Sequence, residues 1–189
     1  MSIFIQIKKG SVVDQSVEAI VCSANNWLVL GTGNAGEIRE AGGEAIQREC
    51  DKIIKENQNK PLAIGMAVAT GTGKLKKLGF RLVIHAIGLG YKRKENNKLY
   101  ERIPATLKTI RSSVKNTLTI AGKAKITSIA FPLMCARLGY NAIKSKNAPE
   151  AILHSMIKEI GYFGKKKQSN LKVIICLTDE HFSSLGYKI

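Results

Sequence analysis

The sequence predicts an α/β fold, a three-layer α/β/α sandwich assembled from six strands and at least four helices. Three observations carry that reading. Short apolar runs alternate with stretches whose apolar residues recur every three or four positions, as when strands and helices take turns along a layered fold. The 189 residues are 44% hydrophobic and 23% charged, enough to bury a sizeable core and unlike a disordered chain, a collagen or a simple coiled coil. No internal repeat, low-complexity segment or long linker interrupts the pattern, so residues 1–189 are expected to form one domain.

The elements follow in order. The first strand is Ile3–Ile7, with Ile3, Ile5 and Ile7 on one face, ending before Gly10. Ala19–Ala24 is nearly continuous in apolar residues and reads as a strand buried on both faces. A glycine-rich segment, Gly31–Gly36, leads into a helix from Ala35 through Gly42 and Gly43 to Ile54, with Ile38, Ala41, Ala45, Ile46 and Cys50 at helical spacing. Met66–Thr70 is a strand closed by Gly71-Thr72-Gly73, and Arg81–Ala86 is a strand closed by Gly88-Leu89-Gly90. Tyr91–Asn96 reads as a basic, polar loop. A helix follows from Lys98 to Ala121, with Pro104 near its start and Gly122 at its end. Thr127–Pro132 is a strand opening into the loop Leu133–Asn141. A helix Ala148–Ile160, a basic loop Gly161–Asn170 and a last strand Lys172–Leu177 complete the layers. Asp179 can N-cap a short helix through Ser184.

Charge and cysteine usage narrow the partners. Lys plus Arg is 30 against 14 Asp plus Glu, a net charge of +16, which favours polyanions such as nucleic acid or phosphates; a solvated basic face accounts for the same number. No apolar run reaches the ~18–20 residues that span a bilayer, and the amino-terminal segment turns to Lys8-Lys9-Gly10 too soon for a signal peptide, so a cytoplasmic protein without membrane attachment is expected. Cys22, Cys50, Cys135 and Cys176 form no Cys-x-x-Cys pair, and His85, His154 and His181 are far apart, so no metal is expected. Cys22 and Cys135 could form a disulfide if their Cα atoms came within ~7 Å, although a cytosolic setting argues against it.

Three segments can carry chemistry. Gly31-Thr32-Gly33-Asn34-Ala35-Gly36 opens a helix soon after a buried strand. Glycines let backbone N–H groups approach an anion, and the helix N-terminus adds aligned N–H groups with a partial positive charge. It is not a P-loop, because no Gly-Lys-Ser/Thr follows, and as a Gly-x-Gly-x-x-Gly match it stands too far from its strand for a dinucleotide fingerprint. Plain turn-forming is its other reading. Asn25, at a strand end, either hydrogen-bonds a sugar hydroxyl or, with Asn26, forms a turn. Phe131–Tyr140 is either a second phosphate-holding loop, with Arg137 adding a charge-assisted bond, or an ordinary strand-to-helix connection.

The order of these motifs resembles the macrodomain family of ADP-ribose-binding modules. The family's Gly-Asp-Ile turn corresponds to Gly10-Ser11-Val12, its VDAIVNAAN strand to Val17–Asn25, and its GGGVAGAI loop to Gly31–Ile38. Its G-x-A-x-x-T and IHAVGP segments correspond to Gly65–Thr70 and Ile84–Leu89, and its IAFP strand to Ile129–Pro132. The resemblance spans residues 3 to 187 and implies a mixed, mostly parallel six-stranded sheet between helices. It implies no cofactor. The partner it implies is ADP-ribose or an ADP-ribosylated protein; the net charge of +16 adds nucleic acid or poly(ADP-ribose) as further partners of the basic surface.

The resemblance also assigns roles. Asn25 would bind the distal ribose, and is the catalytic candidate. Gly31 and the amides of Gly33, Asn34, Ala35, Gly36, Glu37 and Ile38 would hold the diphosphate, together with those of Cys135, Ala136, Arg137, Leu138, Gly139 and Tyr140. Ser11, Val12 and Thr178 would flank adenine. Departures from the family pattern are Ser11 for Asp, Cys22 for the first Asn, Thr32 for Gly, Asn34 for a small apolar residue and Arg137 for a central Gly. Ala35 occupies the position of an Asp used by one hydrolytic branch, and Gly139 stands near an Asp used by another, for which no Lys partner is found. Glu37 is expected to be the only carboxylate near the ligand. Binding of ADP-ribose is therefore the leading expectation, and a mono-ADP-ribosyl hydrolase or a polyanion-binding module the alternatives.

Overall fold

The computed structural model describes residues 3–93, 100–136, 147–167 and 170–186. Its strands are β1 (Ile3–Lys9), β2 (Ala19–Asn25), β3 (Ala67–Thr70), β4 (Leu82–Arg93), β5 (Tyr100–Ile103), β6 (Ser128–Pro132) and β7 (Leu171–Leu177). Its helices are α1 (Asn34–Gly42), α2 (Glu44–Glu56), α3 (Leu107–Lys123), α4 (Ala148–Lys167) and α5 (Asp179–Ser184). The sheet order is β1-β7-β6-β2-β4-β3, with β5 paired to the far end of β4. Strands β1, β7, β6, β2 and β4 run parallel, and β3 and β5 run antiparallel to β4.

Apolar runs in the central strands supply two cores at once, because successive side chains point to opposite faces. Ala19, Val21, Ile84, Ile129, Phe131, Val173 and Ile175 pack with Ile110, Val114 and Leu118 of α3 and Ile152, Met156 and Ile160 of α4. Their neighbours Ile20, Cys22, Val83, Ile87, Ala130 and Ile174 pack with Ile38 of α1 and Ile46 and Cys50 of α2. The outcome is the expected mixed-sheet sandwich between helices. Cys22 and Cys135 fall in opposite cores, and all four cysteines are free and buried. His85 is sealed in the sheet against Thr70 (2.9 Å) and Cys50, and burial lowers its pKa to about 4, so it is neutral and structural.

The structure corrects several boundaries. The helix expected from Ala35 to Ile54 is two helices, because Gly43 between them takes φ +80° and ψ 176°, outside the helical region. Gly88-Leu89-Gly90 does not close the fourth strand: β4 runs on to Arg93, and Tyr91–Arg93, expected in a loop, pairs with β5. Residues 94–99, the rest of that loop and the expected helix start, lie outside the described residues. The helix does not include residues 100–106. Pro104 disfavours helical backbone in the residue before it, and a reciprocal capping box between Thr106 and Thr109 starts α3 at Leu107. The extra strand β5 raises the count to seven. Helix α4 absorbs the first part of the basic loop, reaching Lys167, and α5 is capped by the Thr178 side chain rather than by Asp179.

The amino ends of three parallel strands are tied by one carboxylate. Glu18, just before β2, accepts hydrogen bonds from the backbone N–H and hydroxyl of Thr127, before β6, and from the guanidinium of Arg81, before β4 (2.8 Å). The Thr127 N–H, then Arg81, hold the Glu18 carboxyl down at about 2, against an ordinary 4.5. A depressed carboxylate stabilises the fold above its unfolded pKa and loses that contribution as pH falls through its folded value. Glu18→Gln should therefore cost about 1–2 kcal/mol at neutral pH, because charge-assisted bonds exceed neutral ones and this one is partly solvent-screened. In urea titrations the gap between wild type and variant should close as pH drops from 4.5 to about 2. A gap that does not change with pH would refute the charge assignment.

Candidate functional site

An open cleft of about 1110 Å³ lies over the carboxyl ends of the parallel strands, where ligands bind in open α/β sheets. It has three parts. One end is formed by Gly10–Val12 after β1 and by Cys176, Thr178 and His181 around the end of β7. The middle lies between the Gly31–Ala35 segment before and into α1 and the Pro132–Ala136 segment after β6. The far end contains Asn25 at the end of β2, Trp27 and Val29 after it, Leu89 and Tyr91 of β4, and Tyr100 of β5.

The middle is built around Ser23. Its backbone N–H donates to Asn34 Oδ1 (2.8 Å), fixing the first residue of α1, and its Oγ accepts from the Cys135 N–H (3.1 Å), fixing the loop after β6. Leu133 N–H donates to the Cys176 carbonyl (3.2 Å), securing the same loop to β7. Gly33 caps α1 at φ +60° and ψ −144°, a region open essentially only to glycine. The Asn34, Ala35 and Gly36 N–H groups lie in the unpaired first turn and so remain available to an anion. Cys135 has a positive φ of 58° and its thiol packs on Gly88, where a Cβ would come within 2.3 Å of the sulfur. Gly88 is also the extra residue of a β-bulge, since Ala24 pairs Ile87 but Asn25 pairs Leu89; the bulge shifts Asn25 in the ladder beside the cleft. Burial pushes the Cys135 thiol up to about 11, so it is not a thiolate at neutral pH.

Most of the described candidates line the cleft: Ser11, Val12, Asn25, Gly31, Gly33 and Asn34, together with Ala35, Glu37, Cys135, Ala136 and Thr178. Two do not. Gly36 sits against the Gly31 carbonyl, where a Cβ would come within 2.7 Å, so only its amide can serve the site, and the Ile38 side chain is sealed in the core. The Glu37 N–H is spent on the Gly33 carbonyl (3.0 Å), so amide donation ends at Gly36. Arg137, Leu138, Gly139 and Tyr140 lie outside the described residues.

Asn25 turned out to be chiefly a turn-former. Its Oδ1 accepts from the N–H groups of Trp27 (2.9 Å) and Val29 (3.4 Å), and its Nδ2 donates to the Val29 carbonyl (2.9 Å). That leaves one amide N–H with no partner among the described residues. Gln47 of α2 holds the next stretch, accepting from Leu30 N–H and donating to the Leu28 carbonyl.

Ser11 does not stand alone. Its hydroxyl donates to Glu37 Oε2 at 2.6 Å, spanning from the β1 turn to α1. Glu37 is not the only carboxylate present: Asp51 of α2 and Asp179 of α5 also line the cleft, the first bonded to Gln47 and the second paired with Lys9. Ser23, Trp27, Tyr91, Tyr100 and His181 were not anticipated. Ser23 is the small polar residue in a buried apolar strand, a signal that could have marked it. Among the described residues no cluster of three or more metal-type ligands occurs, and no helix is long and apolar enough to cross a membrane.

The architecture is that of a layered α/β protein with two backbone loops opening on one cleft over its parallel strand ends. The comparisons narrow this. The macro domain family pattern matches residues 21–148. An uncharacterized protein of Sulfurisphaera tokodaii is 30% identical over 186 residues, covering 98% of this chain and 87% of that protein. A macro domain-containing protein of Listeria monocytogenes is 30% identical over 179 residues, covering 94% of this chain and 92% of its own length. The chain spans only 19% of a 38% identical Thermotoga maritima relative and 66% of a 38% identical macro domain-containing protein of Caldanaerobacter subterraneus. In fold, an Oceanobacillus iheyensis macrodomain solved with ADP superposes with a TM-score of 0.73 at 22% identity, covering 96% of this chain and 86% of the other. A Trypanosoma brucei macrodomain solved with ADP-ribose gives 0.73 at 19% identity, covering 97% and 67%. The chain belongs to the macro domain family.

Ser23→Ala removes the acceptor of the Cys135 N–H while keeping the backbone bond to Asn34. Loss of one such bond is expected to cost about 1 kcal/mol. Hydrogen exchange should accelerate at 133–136 and stay unchanged in β6. Equal exchange in both proteins would show that Ser23 does not hold the loop.

Proposed function

We propose that the cleft binds ADP-ribose, or an ADP-ribosyl group carried on a macromolecule, with the whole chain acting as one macrodomain. The observation that carries this reading is the Ser23 bridge, which sets the free N–H groups of the α1 first turn and the loop after β6 on either side of one hollow. A diphosphate suits that hollow, since the α1 donors are backbone groups already in place; the expected Cys135 amide contact is closed off, because the Leu133 and Cys135 N–H groups are spent on Cys176 and Ser23. Macrodomains of this fold solved with ADP and with ADP-ribose support the ligand class.

Adenine goes to the end formed by Val12 and Thr178. There the family's acidic acceptor for the adenine amine is replaced by a hydroxyl, but the Ser11 hydroxyl is already donating to Glu37. Glu37 therefore supplies the carboxylate, and Ser11 positions it. The distal ribose goes beside Asn25, which contributes its one spare N–H as donor and shapes the surrounding turn.

Calorimetric titration with ADP-ribose is expected to give a saturable one-to-one heat at sub-millimolar ligand. Gly33→Val forces a β-branched residue into a backbone region closed to it, and should weaken binding by tenfold or more while circular dichroism stays native. Glu37→Gln, which keeps the Ser11 contact but removes the charge, should weaken ADP-ribose more than ribose 5-phosphate, which lacks adenine. No heat from folded wild-type protein would overturn the proposal, and equal losses for both ligands would overturn the role of Glu37.

A further inference from the structure

The amino end of the sheet, opposite the cleft, presents a second surface. Strands β1, β7, β6, β2 and β4 all begin there, and α3 and α4 run down to it, since each leads into the start of a parallel strand. Phe163 of α4 lies beside Gly122 near the end of α3, and Gly164 sits on Ile3 at the start of β1, where a Cβ would meet it at 2.7 Å. Among the described residues, the large exposed apolar side chains fall into two groups. Val29 and Tyr100 edge the cleft, and Met66 precedes the antiparallel β3. Phe4, Leu78 and Tyr162, which are 61%, 70% and 61% exposed, lie at the amino end.

The fold holds these side chains out. Leu78 ends the short 3-10 turn Gly73–Leu78 between β3 and β4. Leu75 anchors that turn in the core, Phe80 is buried just after it, and Gly79 closes it in the left-handed region at φ +91°. The turn is pinned on both sides of Leu78, which stands in water with the exposed Lys76 and Lys77 before it. Phe4 alternates with Ile3 and Ile5, which pack on the α3 and α4 core, so it faces the other way; its partner in register is Lys172, also exposed. Tyr162 is exposed on α4 next to the buried Phe163. Apolar groups held in water in this way mark a contact surface.

The charge around them is one-sided. The segments that enter β2, β4 and β6, residues 15–18, 71–81 and 124–127, carry Lys74, Lys76, Lys77, Arg81 and Lys125 against Glu18 alone. Glu18 is committed to Arg81 and Thr127. Lys123 at the end of α3, Lys165 in α4 and Lys172 in β7 add to the excess, and all three are exposed. The other acidic groups of the elements that reach this end are balanced or held. Glu44 pairs with Arg39, Glu159 with Arg111, Glu49 accepts from the Gly71 N–H, and Glu40 of α1 is offset by Arg48 of α2. None of the lysines named here has a carboxylate partner among the described residues. The surface therefore attracts anions.

Anionic lipid and nucleic acid both answer to lysines, and the apolar side chains separate the two. Leucine offers a nucleic acid neither a stacking face nor a hydrogen bond. At a bilayer it enters the acyl boundary, while lysines reach the headgroups and tyrosine sits at the interface. We propose that the amino end of the sheet docks the protein on an anionic lipid surface, with Leu78, Phe4 and Tyr162 at headgroup depth and the lysines against the lipid phosphates. The cleft, at the opposite end, then faces away from the membrane and stays open. Docking of this kind needs no spanning helix, and in this it departs from the expectation of a protein without membrane attachment. It does not rest on the ADP-ribose reading of the cleft.

Co-sedimentation of the full chain with vesicles tests the docking. Vesicles of equal parts phosphatidylcholine and phosphatidylglycerol should carry the protein down, and vesicles of phosphatidylcholine alone should not. Added salt should weaken the binding. The double variant Lys76→Glu, Lys77→Glu should weaken it about tenfold or more, since each lysine near an anionic surface contributes separately. Leu78→Ser should weaken it severalfold, while the anisotropy of a labelled single-stranded RNA titrated with the same variant stays as in wild type and circular dichroism stays native. Failure of folded wild-type protein to sediment with the anionic vesicles would overturn the proposal. So would a Leu78→Ser variant that partitions like wild type, because the contact would then be one of charge alone. Weaker RNA binding by Leu78→Ser with unchanged partition onto vesicles would assign the surface to nucleic acid instead.

Discussion

Ser23 is where the two halves of the cleft meet. It sits near the end of a central strand whose neighbours are apolar, and both of its polar groups are committed sideways. Its N–H holds the start of α1 through Asn34, and its hydroxyl holds the loop after β6 through the Cys135 amide. Each bond is modest, about 1 kcal/mol net. Their value lies in geometry, because they fix the start of α1 and the loop after β6 relative to one another. The bulge at Gly88 and the packing of Cys135 on that glycine continue the same arrangement into β4.

The opposite end of the sheet is stabilised by different chemistry. Glu18 joins the starts of β2, β4 and β6 through charge and hydrogen bonds, while at the cleft β2 is joined to α1 and to the loop after β6 by neutral groups. That division suits an anion site. A fixed carboxylate among the loop amides would oppose a phosphate, and the carboxylates that do reach the cleft are held by other groups: Glu37 by Ser11, Asp51 by Gln47 and Asp179 by Lys9. The buried thiols are neutral for the same reason that His85 is, namely that the interior disfavours charge.

Position 11 read alone is a lost charge against the family pattern. The structure adds a contact from the Ser11 hydroxyl to Glu37, 26 positions away, so a carboxylate does stand in that neighbourhood, as the proposed adenine end requires. Likewise Asn34, an unusual residue for its place, uses its side-chain oxygen to accept from the Ser23 N–H.

Much of the fold was legible in the chain because period-two and period-three-to-four patterns record which faces are buried. The central strands were placed within a residue or two at most ends. The hairpin was not legible: Tyr91–Arg93 and Tyr100–Ile103 are polar, half-exposed strands, and only their pairing makes them a sheet. At the site, the glycine-rich loop and Asn25 could be found because backbone conformation and hydrogen-bonding capacity are local properties. Which hydrogen bonds Asn25 had left to give, which amides of α1 were free, and that Ser23, Trp27 and Tyr100 belong to one cleft were decided by tertiary structure. Those facts depend on distances between segments far apart in sequence, and no local pattern records them.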